Sequence, residues 1–441
     1  MANRASDDTA TDLASGASAL RKATWRIMPL IMVCYFFAFF DRINISFAKF
    51  ALQSDLHLSD TAYGLGASLF VLGYVLFEVP SNLLLYRVGA RRWIARIMVS
   101  WGIATALMMF VQTAWQFYGL RFVIGAMEAG FAPGVLYYLT LWFPPSWRGR
   151  VTSLLFLASA FSGLFGAPVA GLVLAGLDGA LGQPGWHWLF LVGGLPCIAL
   201  GGIVLFALAD RIEDARWLST DEKAWLARRI PARAAHPGRH AVLDAIRAPG
   251  FAWLALLYFL IQVASYGLNF WAPHMIRASG ATDPKVIGLL TAVPYLFGAV
   301  TMIVVGRLSD ATGERRLFVA LLLLLGAAGF LGAAFFDHQT AWLVGSLAVL
   351  GAGVVASIPA FWALPPKLAT GVGAAAGIAL INTLGQLGGM VSPVLVGRIK
   401  DVTGSTTPAL YVIAVATLCA AGIVLFALPR SLRERELRGT F

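Results

Sequence analysis

The chain has 441 residues, of which 59% are hydrophobic and only 12% charged, with a mean hydropathy of +0.76. Soluble domains carry about 25% charged residues, so a water-soluble enzyme is excluded; the apolar residues fall in long runs, not in the alternation of a membrane barrel. A formal net charge of +11 invites a nucleic-acid reading until it is placed along the chain.

A helix needs about 20 apolar residues to cross the hydrocarbon. That window finds twelve spans, near 26–48, 61–86, 93–113, 116–140, 151–175, 187–209, 250–274, 286–307, 316–336, 341–363, 373–397 and 407–428. The implied organisation is an N-terminal tail (1–25), a six-helix half (26–209), a polar linker (210–249), a second six-helix half (250–428) and a tail (429–441). The first residues are polar and lead straight into a span, so no signal peptide is expected. With both termini cytoplasmic, 26 of the 33 Lys and Arg face the cytoplasm. Lys49, Arg277, Lys285, Arg398 and Lys400 face the other side, and Arg42 and Arg121 fall within spans. This is the positive-inside bias of a multi-pass protein of the cell (inner) membrane. The positive charge is topology, and no nucleic-acid partner is expected.

The linker carries Arg211, Arg216, Lys223, Arg228, Arg229, Arg233 and Arg239, interrupted by Pro231 and Pro237. Ser219, three residues before Glu222, predicts a capping box on a short amphipathic helix. Joining the halves is its expected role, with contact to anionic lipid heads secondary. Cys34, Cys197 and Cys419 sit singly in apolar runs and read as packing residues. Of the histidines, His57, His236, His240 and His338 belong to loops or span ends, His187 is interfacial, and His274 lies near the outer end of span 7. No spacing suggests a metal site, a cofactor or a catalytic triad.

The two halves echo each other. Gly89-Ala90-Arg91-Arg92 follows span 2 and Gly313-Glu314-Arg315-Arg316 follows span 8, an offset of 224. Pro168 in span 5 matches Pro393 in span 11, an offset of 225. Two landmarks at nearly one offset imply a duplicated six-span unit, the architecture of many secondary transporters, with a site between the halves.

Charge inside a span costs roughly 2.5–3.5 kcal/mol per residue on insertion scales, so each case needs a reason. Span 1 holds Asp41 and Arg42, span 2 holds Glu78, and span 4 holds Arg121 and Glu128. Arg121 and Glu128 share a helix face about 10.5 Å apart along the axis. Gly125 and Ala132 lie on that face, which predicts a charged stripe beside a water-filled cavity. Counting from the span ends puts Arg42 and Arg121 at similar depth, a planar fork for a carboxylate. An anion that neutralises the fork would favour protonation of the neighbouring acid, a scheme for anion–proton symport. The plainer alternative is that these charges pair internally as helix glue; for Glu78, beside Pro80 and Asn82, a gate or kink contact suffices.

The sequence resembles the anion:cation symporter family of the major facilitator superfamily over about residues 25–428. The resemblance is carried by Asp41-Arg42-Ile43-Asn44, Gly73-Tyr74 through Glu78-Val79-Pro80-Ser81-Asn82, Gly89-Ala90-Arg91-Arg92, and Arg121 through Glu128 to Gly134. Trp142-Phe143-Pro144, Arg148-Gly149-Arg150, Gly306-Arg307-Leu308-Ser309-Asp310, Phe361-Trp362-Ala363-Leu364-Pro365 and Gly377 to Asn382 continue it. Permeases for 4-hydroxyphenylacetate, phthalate and tartrate look closest. The resemblance implies an all-α membrane protein, with twelve helices in two pseudo-symmetric six-helix bundles. It also implies import of an organic carboxylate coupled to protons by alternating access. By motif match, Asp41 and Glu128 would carry protons, and Arg42, Arg121, Tyr74, Trp362 and Asn382 would line the substrate site. Glu78, Asp310, Arg91, Arg92, Arg315 and Arg316 would act in gating. Two departures, Ser159 where sugar-acid members place Gln and Phe39 where they place Tyr, favour an aromatic acid or a small dicarboxylate such as tartrate over a sugar acid. The first half has Asn82 and Tyr86 where the second has Gly306 and Asp310, so its loop gate would differ.

The expected partners are a small organic carboxylate, protons and the bilayer, with the chain acting as a monomer and as a transporter, not an enzyme. A proton-independent exchanger or exporter is the rival within transport. A carboxylate sensor is the rival outside it, disfavoured because residues 431–441 offer no output domain.

Overall fold

The computed structural model describes residues 2–230, 246–247, 250–365 and 372–428, with side chains described from residue 15 and excepting those of 372–376. Twelve segments are long and apolar enough to span a membrane, matching the twelve read from the sequence. The N-terminal half comprises α1 (Ala2–Leu56), α2 (Asp60–Val88), α3 (Ala90–Leu107), α4 (Ala114–Glu128), α5 (Phe131–Trp142), α6 (Pro145–Gly176) and α7 (Gly185–Ala207). After the linker helix α8 (Thr220–Arg229) come α9 (Phe251–Ala278), α10 (Pro284–Thr312), α11 (Arg316–Phe335), α12 (Thr340–Trp362), α13 (Val372–Thr403) and α14 (Thr407–Gly422). The helix start signals act where the sequence placed them. Ser59 caps α2, Asp283 caps α10 ahead of Pro284, and Ser219 with Glu222 forms the expected capping box on α8. Pro231, Arg233, His236, Pro237, Arg239, His240 and the tail 429–441 lie outside the described residues.

The duplication is visible in the packing. In the first half α1 packs on α6, α2 on α4 and α3 on α7; in the second, α9 packs on α13, α10 on α12 and α11 on α14. The halves meet through the exchanged pairs α2 with α13 and α6 with α10, which any such two-fold repeat would relate. Small residues let these backbones approach, since lipid offers no hydrophobic drive to push them together. A Cβ on Gly171 would meet the Pro284 carbonyl, and one on Gly64 the Pro393 carbonyl.

By the alternation of twelve spans, the first turns of α1 and residue 428 lie at one end of the bundle, here called proximal, and the α1–α2 turn lies at the other, distal end. Contact between the halves is continuous at the distal end. Along α10, residues are buried as far as Ala299, but from Val300 to Thr312 every residue is partly or fully exposed. The α6–α10 seam therefore opens toward the proximal end.

Two expectations about span 1 change. α1 begins far ahead of residue 26, so the expected tail continues the span as helix. α1 also runs on to Leu56, which draws Lys49 out of the expected loop into the helix, where it is fully buried.

Candidate functional site

Span 4 is broken, and the break sets the site. α4 ends at Glu128; Ala129 leaves helical geometry (φ −54°, ψ 132°) and Gly130 is left-handed (φ 85°), a conformation that glycine adopts without a Cβ penalty. A break inside a membrane frees carbonyls that need partners. Ser81 of α2 supplies one, donating to the Ala129 carbonyl at 2.6 Å while accepting from Trp93 Nε1 at 3.0 Å. Ala132 thus lies beyond the break and does not extend the Arg121–Glu128 face. Gly125 does share that face, but a Cβ there would collide with the Phe70 carbonyl, so the small residue serves a tight α2–α4 crossing and not the expected water-filled stripe.

The four central charges pair between helices, not with their sequence neighbours. Arg42 Nη2 donates to Glu128 Oε1 at 2.6 Å, joining α1 to the end of α4. Because α1 is longer than expected, Arg42 lies as many residues from the distal end of α1 as Glu128 does from the distal start of α4. Its depth therefore matches Glu128 and not Arg121. Arg121 interacts electrostatically with Asp41, whose Oδ2 accepts from Trp101 Nε1 at 3.3 Å. Asp41, Arg121 and Glu128 are each 1% exposed. Nε and Nη2 of Arg121, Nε of Arg42 and Oε2 of Glu128 have no hydrogen-bond partner in the protein. Orphaned charged groups at this burial are costly, about 1–3 kcal/mol or more each, which marks the cluster as the candidate site.

Aromatic rings wall the arginines. The Arg42 guanidinium lies 5.1 Å from the Phe39 ring centroid, 5.3 Å from that of Phe70 and 5.7 Å from that of Tyr74. Arg121 lies 4.7 Å from the Phe70 centroid. Of the residues expected to hold substrate, Arg42, Arg121 and Tyr74 are therefore together. Asn382 and Trp362 are not with them. Asn382 Nδ2 donates to Glu78 Oε1 at 2.8 Å and Thr383 Oγ1 to Glu78 Oε2 at 3.2 Å, bonds that cross between the halves. Trp362 ends α12 at the proximal side and packs edge-on against Tyr258 at 4.9 Å. These residues form a second layer, one helical turn proximal of Tyr74 along α2.

The loop charges expected in gating bind within their own halves. Arg91 holds Asp210 at the end of span 6, through its backbone N–H at 2.9 Å and Nε at 3.3 Å. Arg315 lies 3.5 Å from Asp310, Arg316 donates to the carbonyls of Val424 and Leu425 at 2.8 Å, and Arg92 is exposed. Among the described residues, the proximal tie that does cross is that of Glu78.

A third cluster closes the distal end. Asp60 of α2 is shared by Lys49 of α1 (2.6 Å) and Lys400 of α13 (2.9 Å). Asp401 of α13 accepts from the backbone N–H groups of Asp60 and Thr61 at 3.0 and 2.8 Å, capping α2 from the opposite half. The Lys49 ammonium rests 3.6 Å from the Trp271 ring centroid, and His274 stacks on Phe50 beside it. Charges inside spans give no sign of the neutral polar residues that the second half buries. Gln262 donates to Gln386 at 2.8 Å, Tyr266 reaches the same oxygen at 3.4 Å, and Tyr295 bonds Asn269. Amides within apolar runs were the available signal. Tyr266 interacts electrostatically with both arginines from across the interface.

The Major Facilitator Superfamily model matches residues 31–393. The chain belongs to that superfamily, and is a multi-pass membrane transporter rather than an enzyme. It is 43% identical over 424 residues to a protein of Agrobacterium vitis named "Putative tartrate transporter", covering 96% of this chain and 94% of that one. It is 40% identical over 428 residues to the "Putative metabolite transport protein NicT" of Pseudomonas putida, covering 96% and 98%. Among solved structures, a bacterial homolog to the human lysosomal transporter Spinster, in an inward-facing and unoccupied conformation, superposes with a TM-score of 0.70 at 17% identity. That match covers 95% of this chain and 98% of the other, and is a likeness of fold.

Proposed function

We propose that this transporter imports an organic carboxylate together with protons, by alternating access across the cell membrane, with Arg121 as the primary anchor of the substrate carboxylate. The observation that carries this reading is a guanidinium 1% exposed, at the centre of the N-terminal half, with two nitrogens that no protein group satisfies. A carboxylate supplies the planar pair of acceptors that such a fork fits. The names of the relatives above support an organic acid. The ring wall of Phe39, Phe70 and Tyr74 suits an aromatic acid, and a second arginine suits a small dicarboxylate such as tartrate; a sugar acid finds fewer hydroxyl partners.

Proton coupling follows from the Arg42–Glu128 pair. A substrate carboxylate that takes over Arg42 leaves Glu128 without its counter-ion in a low-dielectric site. A proton then replaces the lost cation, so substrate and proton enter together. Asp41, held by Trp101 and facing Arg121, relays the second charge in the same way. Alternating access then exchanges the distal closure around Asp60 for a proximal one. The Glu78 bonds to Asn382 and Thr383, with Tyr258 and Trp362 beside them, already tie the halves on the proximal side while the distal cluster is closed, so opening toward that side breaks them. The protein acts as a monomer with both termini in the cytoplasm, consistent with the cation bias of the proximal loops.

The test is uptake of labelled tartrate, phthalate and 4-hydroxyphenylacetate into vesicles containing the purified protein. Wild type takes up at least one of the three, Arg121→Ala none, and Arg121→Lys retains a weak fraction because it keeps the charge without the fork. Uptake by Arg121→Ala equal to wild type would remove Arg121 from the site.

A further inference from the structure

Phe70 belongs to no charged pair and to no motif singled out in the sequence, yet both central arginines lie over its ring. Its backbone is fixed by the tightest point of the α2–α4 crossing, where Gly125 leaves room for the Phe70 carbonyl and no other side chain would. From that fixed point the ring, 1% exposed, lies 5.3 Å from the Arg42 guanidinium and 4.7 Å from that of Arg121. Two cations from different helices thus share one aromatic ring. They differ in their other partners: Arg42 has Glu128 at 2.6 Å, whereas Arg121 keeps Nε and Nη2 free.

We infer that Phe70 is a positioning residue for substrate binding: its ring attracts the guanidiniums of both Arg42 and Arg121, so that Arg121 presents its free nitrogens to the substrate carboxylate. The physical cause is the ring quadrupole, whose negative face attracts both cations where water does not compete. Without that attraction Arg121 turns to Asp41, the carboxylate with which it interacts most strongly, and the fork closes on the protein's own acid. Arg42, still bound to Glu128, moves less. The ring therefore sets how tightly substrate is bound and leaves the rate of the conformational cycle untouched. This inference rests on the carboxylate reading above.

The experiment replaces Phe70 in the full-length protein by phenylalanines of increasing ring fluorination, which keep shape and remove the quadrupole stepwise. Uptake of tartrate and phthalate into vesicles gives KM and maximal rate for each. KM is expected to rise at every step, to about tenfold for the most fluorinated ring, with the maximal rate unchanged. Phe70→Leu raises KM at least as far, and Phe70→Tyr, which restores the ring face, returns toward wild type. A KM that stays flat across the series while wild type transports overturns the role of Phe70 and leaves the carboxylate reading standing. If wild type transports no carboxylate, that reading fails and the inference falls with it.

Discussion

Two buried charge clusters, one at the distal end and one at the centre of the N-terminal half, use nearly the same residue types for opposite purposes. At the distal end Lys49, Asp60, Lys400 and Asp401 come from both halves, and each acid is engaged by groups of both or of the opposite half. In the centre Asp41, Arg42, Arg121 and Glu128 all come from one half, and guanidinium and carboxylate atoms are left over. Ion pairs that bridge two bodies resist their separation. Pairs inside one body do not tie the halves together. The difference lies in where the partners come from: both halves at the distal end, one half in the centre.

The comparison breaks most severely if the central charges are removed singly. Arg121→Ala leaves Asp41 without its electrostatic partner, and breaking a buried pair from one side costs about 3–5 kcal/mol. Thermal unfolding in detergent should fall accordingly; Asp41→Asn in the same chain should restore stability and not transport. Recovery of both would place the pair among structural contacts.

A smaller effect is expected at the distal latch. Asp401→Asn removes the charge that caps α2 from the opposite half, a bond worth about 2 kcal/mol for a charged acceptor, or roughly thirtyfold in the balance of closed and open forms. A cysteine placed at Ser68, whose hydroxyl now bonds the Met390 carbonyl across the seam, should then label faster from the distal side. Unchanged labelling would mean that the latch is not what holds the distal end shut. Across the same proximal bonds, Glu78→Gln keeps an oxygen to accept from Asn382 and offers an amide N–H that the Thr383 hydroxyl can accept, so the crossing bonds should persist, whereas Glu78→Ala should loosen the halves by about 1–2 kcal/mol. Equal behaviour of the two in proximal cysteine labelling would contradict a tie made by those bonds.

The smallest effect concerns the linker. Burial alone would raise the Glu222 carboxyl, but hydrogen bonds from Lys22 and from the Ser219 backbone N–H outweigh it and hold the group at about 2, below its ordinary 4.5. A depressed acid adds stability above its ordinary value and loses it as pH falls toward the folded one. Docking of α8 on α1 should thus be constant near neutrality and weaken from about pH 4.5 downward. The unfolding-temperature gap between wild type and Glu222→Gln should narrow over that window; a gap that widens with acid would contradict the assignment.

Span count, duplication, the α8 capping box and every central charge were legible in the sequence, because hydropathy, repeats and misplaced ions are local signals. Pairing was not. Arg42 binds Glu128 and not Asp41 because adjacent helical residues point to different faces, and only the crossing of α1 with α4 selects the partner. Lys49 read as a loop residue because Asp60, Lys400 and Trp271, which make its burial affordable, come from three other helices. Gly125 read as the edge of a cavity because a small residue looks the same whether water or a neighbouring backbone fills the space. Gly130 and Pro133, which has no N–H to offer the Ala129 carbonyl, were the local signs of the helix break, and Gln262 and Gln386 were visible as amides in apolar runs.

The most direct test of the account is proton movement. With the protein in vesicles and a pH-sensitive dye outside, addition of tartrate, phthalate or 4-hydroxyphenylacetate should alkalinise the medium for wild type, and neither Glu128→Gln nor Arg121→Ala should do so. Carboxylate uptake without any pH change, or with the same change in Glu128→Gln, would contradict coupling through the Arg42–Glu128 pair.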